Sequence, residues 1–440
     1  MESGRRISDP FKPFAAEAHH GDVKISNRRW FPEKGAFILP AAMSDLIGSR
    51  SGLPRKINYS SYSPAIMIKL DADVLRVNAK LPWPVFDAAG RLLLNEGEII
   101  PSEHALQILL ERGLYRQQTA EELRQQAIKP EDRPVPFDAI NEYIPRLQQI
   151  NVGLKQARDG IAERVGKLAR EIQQLCELDS DAALGAIHLG QDFAYSHRHQ
   201  VHTAILCEIF GRTLGYSPGR RESLVAASLT ANIAMLELQD KLHTQKEPLN
   251  EDQLREIREH PCNSEKILSA AGVTDLLWLQ IVRQHHERID GTGYCEGLLG
   301  DAIIEEAKLL ALADIYSAMV SPRAYRSEMQ AKEVLREMFL ARSKIVDERL
   351  CMVFIKEMGI YPPGSFVRLV NGEVAVVIRR GKDATSPLVS SVLSPRGGLY
   401  IKPLRRDTSR KEYAIKEFCA MEKGLKLNLS VIWGYSELAL

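Results

Sequence analysis

The chain of 440 residues is 45% apolar and 26% charged, which excludes a disordered or fibrous protein and allows two or three domains with real cores. Its 58 lysines and arginines stand against 57 acidic residues, so no global field recruits a nucleic-acid polymer or an anionic membrane, and any phosphate-binding surface must be local. The six cysteines show no C-x-x-C pair and no disulfide-like spacing, there is no apolar run as long as a membrane span, and the first residues (MESGRRISDPFKPF) are too charged for a signal peptide. These features lead us to expect a cytoplasmic protein without membrane attachment.

Residues 1–75, rich in Pro, Ser, Gly and Arg, read as largely disordered. Residues 76–135 read as a small α+β module. Leu81 to Phe86, the turn at Asp87 to Gly90 and Arg91 to Leu94 form a hairpin pattern, and Ser102 can cap a helix that ends at Gly113.

Between 136 and 178 the period changes. Leu147, Ile150, Leu154, Ala157, Ile161, Val165, Leu168, Ile172 and Leu175 recur at intervals of three or four, a nearly heptad seam with one stutter. Such a seam buries itself either on its own domain or on a second copy; the second case would make it a long connecting helix and a homodimer stalk.

Residues 179–358 are helical in pattern and hold most of the histidines. One helix opens at Tyr195 and ends near Gly215, and a second runs from Pro218 to Met235. A third starts at the box-like pair Asn250 and Gln253 and is expected to stop at His260-Pro261, before the proline. Thr274 to Gln284 is apolar at helical spacing and leads into His285-His286-Glu287-Arg288-Ile289-Asp290-Gly291-Thr292-Gly293-Tyr294. The histidine pair therefore ends a helix, where both rings can reach one site only at its edge or in a loosened last turn. In the last helix, Ala302 to Met319, Asp314 shares a face with apolar residues, which is costly unless it is paired or ligating. Residues 359–405 turn to strand character around Asn371-Gly372, a hairpin signal for a small antiparallel β module. The basic residues that open 406–440 read as a solvated tail.

His199, His260, His285, His286 and Asp314 thus lie at helix ends or inward faces of one helical domain. Imidazole and carboxylate suit zinc, iron, manganese or nickel. Taken singly, each also reads as a satisfied core histidine or a capping carboxylate.

The domain from 179 to 358 resembles the HD-GYP family, whose active members hydrolyse cyclic di-GMP at a two- or three-metal centre. The resemblance rests on Arg198-His199-Gln200-Val201, His260-Pro261, the stretch HHERIDGTGYCEGL, Ala313 to Ala318 and Ser321 to Arg326. It implies a mainly α chain built on an HD-type helical bundle, metal ligation by the five groups above, and a cyclic dinucleotide ligand. It also implies contacts from Asp290, Gly291, Gly293 and Tyr294 to ligand or to a protein partner, and a phosphate grip from Arg323 and Arg326.

The chain departs from this family in two places. Where the family carries its name-giving pair in a segment L-H-D-I-G, Ala231 and Asn232 stand in Leu229-Thr230-Ala231-Asn232-Ile233. Asn232 is neutral and offers one carbonyl oxygen, and Ala231 offers nothing. Where the family has the proline of G-Y-P, this chain has Cys295. The expectation is therefore one divalent metal at most and a degenerate signalling module weak or inactive in hydrolysis. A surviving phosphodiesterase with a rearranged site, or a mere dimerisation scaffold, are the alternatives.

Overall fold

The computed structural model describes residues 135–190, 193–321, 329–342, 346–381, 383–420 and 427–435, with shorter pieces between 67 and 117. Residues His20 to Arg133 cluster as one unit and those from Pro134 onward as another.

In the first unit, β1 (Met67–Lys69), β2 (Val85–Phe86), β3 (Leu92–Leu94) and β4 (Tyr115–Gln117) form an antiparallel sheet in the order β1-β4-β2-β3. The expected hairpin is present, with Val85 opposite Leu94. Within the stretch read as largely disordered, residues 67–69 form a strand; the remainder of 1–75 lies outside the described residues. So does most of the helix expected from Ser102 to Gly113, of which residues 104, 106 and 107 are helical.

The second unit is mainly helical. Helices α1 (Pro136–Lys155) and α2 (Ile161–Leu189) carry the three-four seam, but not as one rod. The chain reverses between them, with Ala157 at φ 47° and Gly160 at φ 67°. Gly153 lets the turn close, since a Cβ there would collide with the Ile161 side chain. Every seam residue except Ala157 is buried within the single chain. The seam is thus not one continuous rod: α2 packs on α1, on α3 (Tyr195–Thr213) and on α4 (Pro218–Thr230), and all of the stripe but Ala157 is buried on its own domain.

The bundle continues with α5 (Leu236–Thr244), α6 (Glu251–Ala270), α7 (Leu276–Gln284), α8 (Glu305–Val320), α9 (Ala331–Ala341) and α10 (Glu348–Met358). Two boundaries differ from expectation. Helix α4 stops at Thr230, and Ala231-Asn232 turn into a 3-10 segment, Ile233–Met235. The carbonyl of Leu229, left without an intrahelical partner, accepts from Gln200 Nε2 at 2.7 Å. Helix α6 runs through Pro261 instead of stopping before it, and its start is the expected capping box of Asn250 and Gln253.

A five-stranded antiparallel sheet follows: β5 (Phe366–Leu369), β6 (Val374–Arg379), β7 (Leu388–Leu393), β8 (Leu399–Asp407) and β9 (Ile415–Phe418), in the order β8-β7-β6-β5-β9. A short helix, α11 (Leu429–Trp433), comes last. The segment read as a solvated tail is thus corrected to an edge strand and a docked helix. Two arginines at its start are anchored: Arg406 grips the buried Glu373 carboxylate and Arg405 donates to the Trp433 carbonyl. The sheet shares the helical core. Trp433 lies edge-on to Phe137 and against Gly185 of α2, while Arg379 and Arg380 pair with Asp179 and Asp181. Among the described residues no helix is long and apolar enough to cross a membrane.

Candidate metal centre

Pro261 lacks an N–H, so the Ile257 carbonyl four residues earlier loses its usual helical donor. His260 takes it, with Nδ1 2.6 Å from the Ile257 oxygen. At the end of α7 the Val282 carbonyl is one of the orphan acceptors of a helix terminus, and His285 Nδ1 lies 2.7 Å from it. Donation to a carbonyl places the proton on Nδ1 in both rings and leaves a lone pair on each Nε2. Those two atoms face each other at 3.2 Å.

Two lone pairs so close repel unless a cation or a shared proton lies between them. Nitrogens about 2.05 Å from a tetrahedral ion would be about 3.3 Å apart. His286 completes a trio whose ligating atoms all lie within 4.8 Å of one another. His285 stands at the C-cap of α7, with φ −68° and ψ −11°, so the histidine pair ends the helix as expected. Burial, aided by the neighbouring rings, pushes His260 well below the ordinary imidazole value and His286 down to about 3, and burial also lowers His285. Neutral rings in this arrangement are competent ligands. The donor set and its carbonyl-fixed tautomers fit a divalent metal.

The other two expected ligands pair with each other. His199 Nε2 is 2.7 Å from Asp314 Oδ1, and His199 Nδ1 is 3.1 Å from Ser317 Oγ. Burial alone would raise the Asp314 carboxyl, but the hydrogen bond to His199, with the neighbouring imidazoles, holds it well below the usual carboxylate range. The five groups therefore form a trio and a pair in electrostatic contact.

At the altered positions, Ala231 is buried in the main core, with its N–H on the Ala227 carbonyl. Asn232 is also buried, and its Oδ1 has no hydrogen-bond partner.

The turn after His286 divides the remaining candidates. Tyr294 comes against the trio, its ring stacked on His286 at 5.0 Å and edge-on to His260 at 6.3 Å. Asp290 Oδ1 instead accepts from the N–H and hydroxyl of Thr292, and Gly291 adopts φ 76°, so both shape the turn. Gly293 lies on the backbone of Glu287 and Arg288, where a Cβ would overlap both. Arg323 and Arg326 lie outside the described residues.

Sequence reasoning passed over Glu287. Its carboxylate is buried and accepts from three backbone amides, Glu296 at 2.6 Å, Gly297 at 3.1 Å and Leu298 at 2.9 Å. It also passed over Gln284, whose Oε1 accepts from Ile304 N at 2.9 Å. A charged residue inside a glycine-rich turn is the signal that could have marked Glu287. The reading of the cysteines is corrected as well, because Cys262 and Cys295 form a disulfide. Their separation of 33 residues hides the pairing from any local spacing rule.

Residues 154–350 match the HD domain family. Over 217 residues the chain is 30% identical to the cyclic di-GMP phosphodiesterase PA4108 of Pseudomonas aeruginosa, covering 49% of this chain and 52% of that protein. Over 180 residues it is 28% identical to the cyclic di-GMP phosphodiesterase PdeB of Borreliella burgdorferi, covering 41% and 47%. The chain thus spans about half the length of these curated relatives. Among solved structures it resembles Bd1817, a HDG"Y"P protein from Bdellovibrio bacteriovorus, with 15% identity and a TM-score of 0.44 over 66% of this chain and 98% of that one. Residues 154–350 thus carry a match to the HD domain family, and the chain is similar over part of its length to cyclic di-GMP phosphodiesterases.

Proposed function

We propose that this is a degenerate signalling module of the HD-GYP type, which holds at most one divalent metal and binds a cyclic dinucleotide or a protein with little or no hydrolysis. One observation carries the reading: position 231 has no donor, and Asn232 is an uncharged amide with a buried, unpartnered oxygen. Two-metal phosphodiester hydrolysis needs ions about 3.5 to 4 Å apart. Without a carboxylate between them, two such cations repel with less compensation.

A single bound ion would supply Lewis acidity toward a phosphate oxygen. The chain's own part is to aim His260 and His285 through Nε2, to add His286, to offer the Asp314 carboxylate steadied by His199, and to lay Tyr294 alongside. Arg323 and Arg326 would grip the phosphates, and the turn at 290–294 would meet a protein partner.

The five ligating groups retained in one region favour a second reading, a working cyclic di-GMP phosphodiesterase with a rearranged site, which is also the activity named for PA4108 and PdeB. Metal analysis combined with a turnover assay separates the two. The module predicts at most one equivalent of metal per chain and cyclic di-GMP turnover near background. Two equivalents with robust release of linear or mononucleotide product would reverse the ranking.

A further inference from the structure

The loop from His286 to Gly300 is fastened at several points. Glu287 holds the amides of residues 296 to 298, Arg283 pairs with Glu296, and the N–H of Tyr294 reaches the His286 carbonyl at 3.2 Å. The covalent fastening is Cys295, the residue after Tyr294, joined to Cys262, two residues past His260 on α6, with Cα atoms 6.4 Å apart. Between the two cysteines lies the packing they secure: Tyr294 against Met235, Leu238 and Ile257, and its ring on His286.

Position sets this pair apart. Cys176, Cys207 and Cys351 are buried and Cys419, after β9, is half-buried; Cys262 and Cys295, also half-buried, flank the histidine cluster and Tyr294. Exchange requires a thiolate to reach a sulfur from solvent, and both residues are partly exposed.

We infer that Cys262 and Cys295 are a thiol–disulfide exchange site for small thiols, which pins the Tyr294 turn onto the histidine cluster when oxidised and releases it when reduced. The inference concerns the chain alone and holds whether or not metal binds or any ester is cleaved. In reduction, a thiolate such as that of glutathione attacks one sulfur, the Cys262–Cys295 bond breaks, and the displaced protein thiolate takes up a proton. A second glutathione thiolate then attacks the mixed disulfide, leaving two protein thiols and one glutathione disulfide. In oxidation, the two protein thiols pass two electrons and two protons to glutathione disulfide, which becomes two thiols.

The test uses the full chain in chelator, equilibrated across a series of reduced and oxidised glutathione. Alkylation with peptide mass spectrometry should find Cys262 and Cys295 titrating together, protected at the oxidised end and labelled at the reduced end. Hydrogen exchange at residues 293 to 297 should quicken by about tenfold on reduction. Cys262→Ser and Cys295→Ser, made separately, should each match the reduced protein in hydrogen exchange at residues 293 to 297, and neither should form the intramolecular disulfide at any glutathione ratio. Free labelling at the oxidised end would overturn the inference. So would a disulfide that survives the whole series, which is a structural staple, or exchange rates that agree between the two states.

Discussion

Pro261 and Ile257 stand four residues apart in α6, and the missing N–H of the first leaves the carbonyl of the second to His260 Nδ1, 2.6 Å away. A residue that breaks a helical hydrogen bond thereby fixes the tautomer of a candidate ligand. Pro261→Ala would restore a competing N–H. We expect metal affinity to fall by about tenfold or more, with no loss of thermal stability, because the helix regains its bond. Isothermal titration with Mn²⁺ and a melting curve check both; unchanged affinity would separate the proline from ligand orientation.

Asn232→Asp places a carboxylate where an uncharged amide now lies buried. In chelator the variant should lose on the order of 3 to 5 kcal/mol, the cost of an uncompensated buried charge, and recover much of it when Mn²⁺ is added. Adding Ala231→His should raise metal content above one equivalent and bring measurable turnover of cyclic di-GMP. Melts that are equally low with and without Mn²⁺ would show that the defect lies deeper than the ligands.

Glu287→Ala removes the acceptor of three backbone amides at once. The loop should be destabilised by about 2 to 4 kcal/mol, seen as faster hydrogen exchange at residues 296 to 298, with exchange in the α2 core unchanged. Glu287→Gln keeps one oxygen and should fall between the variant and the parent.

Acid should weaken the C-terminal sheet through Glu373. Hydrogen bonds from Arg406, Ser391 and Tyr400 outweigh burial and hold its carboxyl down to about 2 from an ordinary 4.5. A depressed carboxylate contributes stability that is complete above the unfolded value and is lost as pH falls through the folded one. The loss should therefore run from about pH 4.5 to pH 2 and amount to on the order of 3 kcal/mol. Glu373→Gln should be less stable at pH 7 and flatter across that window, as urea melts at several pH values will reveal.

Much of the architecture was legible because it follows from apolar spacing and caps. The helices around the histidines, the Asn250 capping box, the Asn371-Gly372 hairpin and the helix end at His285 all carry local signals. Long-range relations left no such mark. The stripe from Leu147 to Leu175 has the same spacing whether it meets a second copy or folds back through Gly153 and Gly160, and only tertiary packing decides. Pro261 reads as a helix stop because its sequence neighbours cannot reveal that a side chain will take the freed carbonyl. At the site, the five candidate groups could be named by residue type, whereas the division into a trio and a His199–Asp314 pair depends on how α3, α6, α7 and α8 approach one another.

The HD family match ends at residue 350, yet Trp433 fills the hollow over Gly185 and Arg379 caps the charge of Asp179 from beyond that limit. A fragment trimmed to the recognisable homology would therefore expose a raw hydrophobic wound and two stranded acids on α2. Work on this protein should begin with genes that keep the downstream strands, and aggregation of shorter versions should be blamed on the cut before it is blamed on the altered pair.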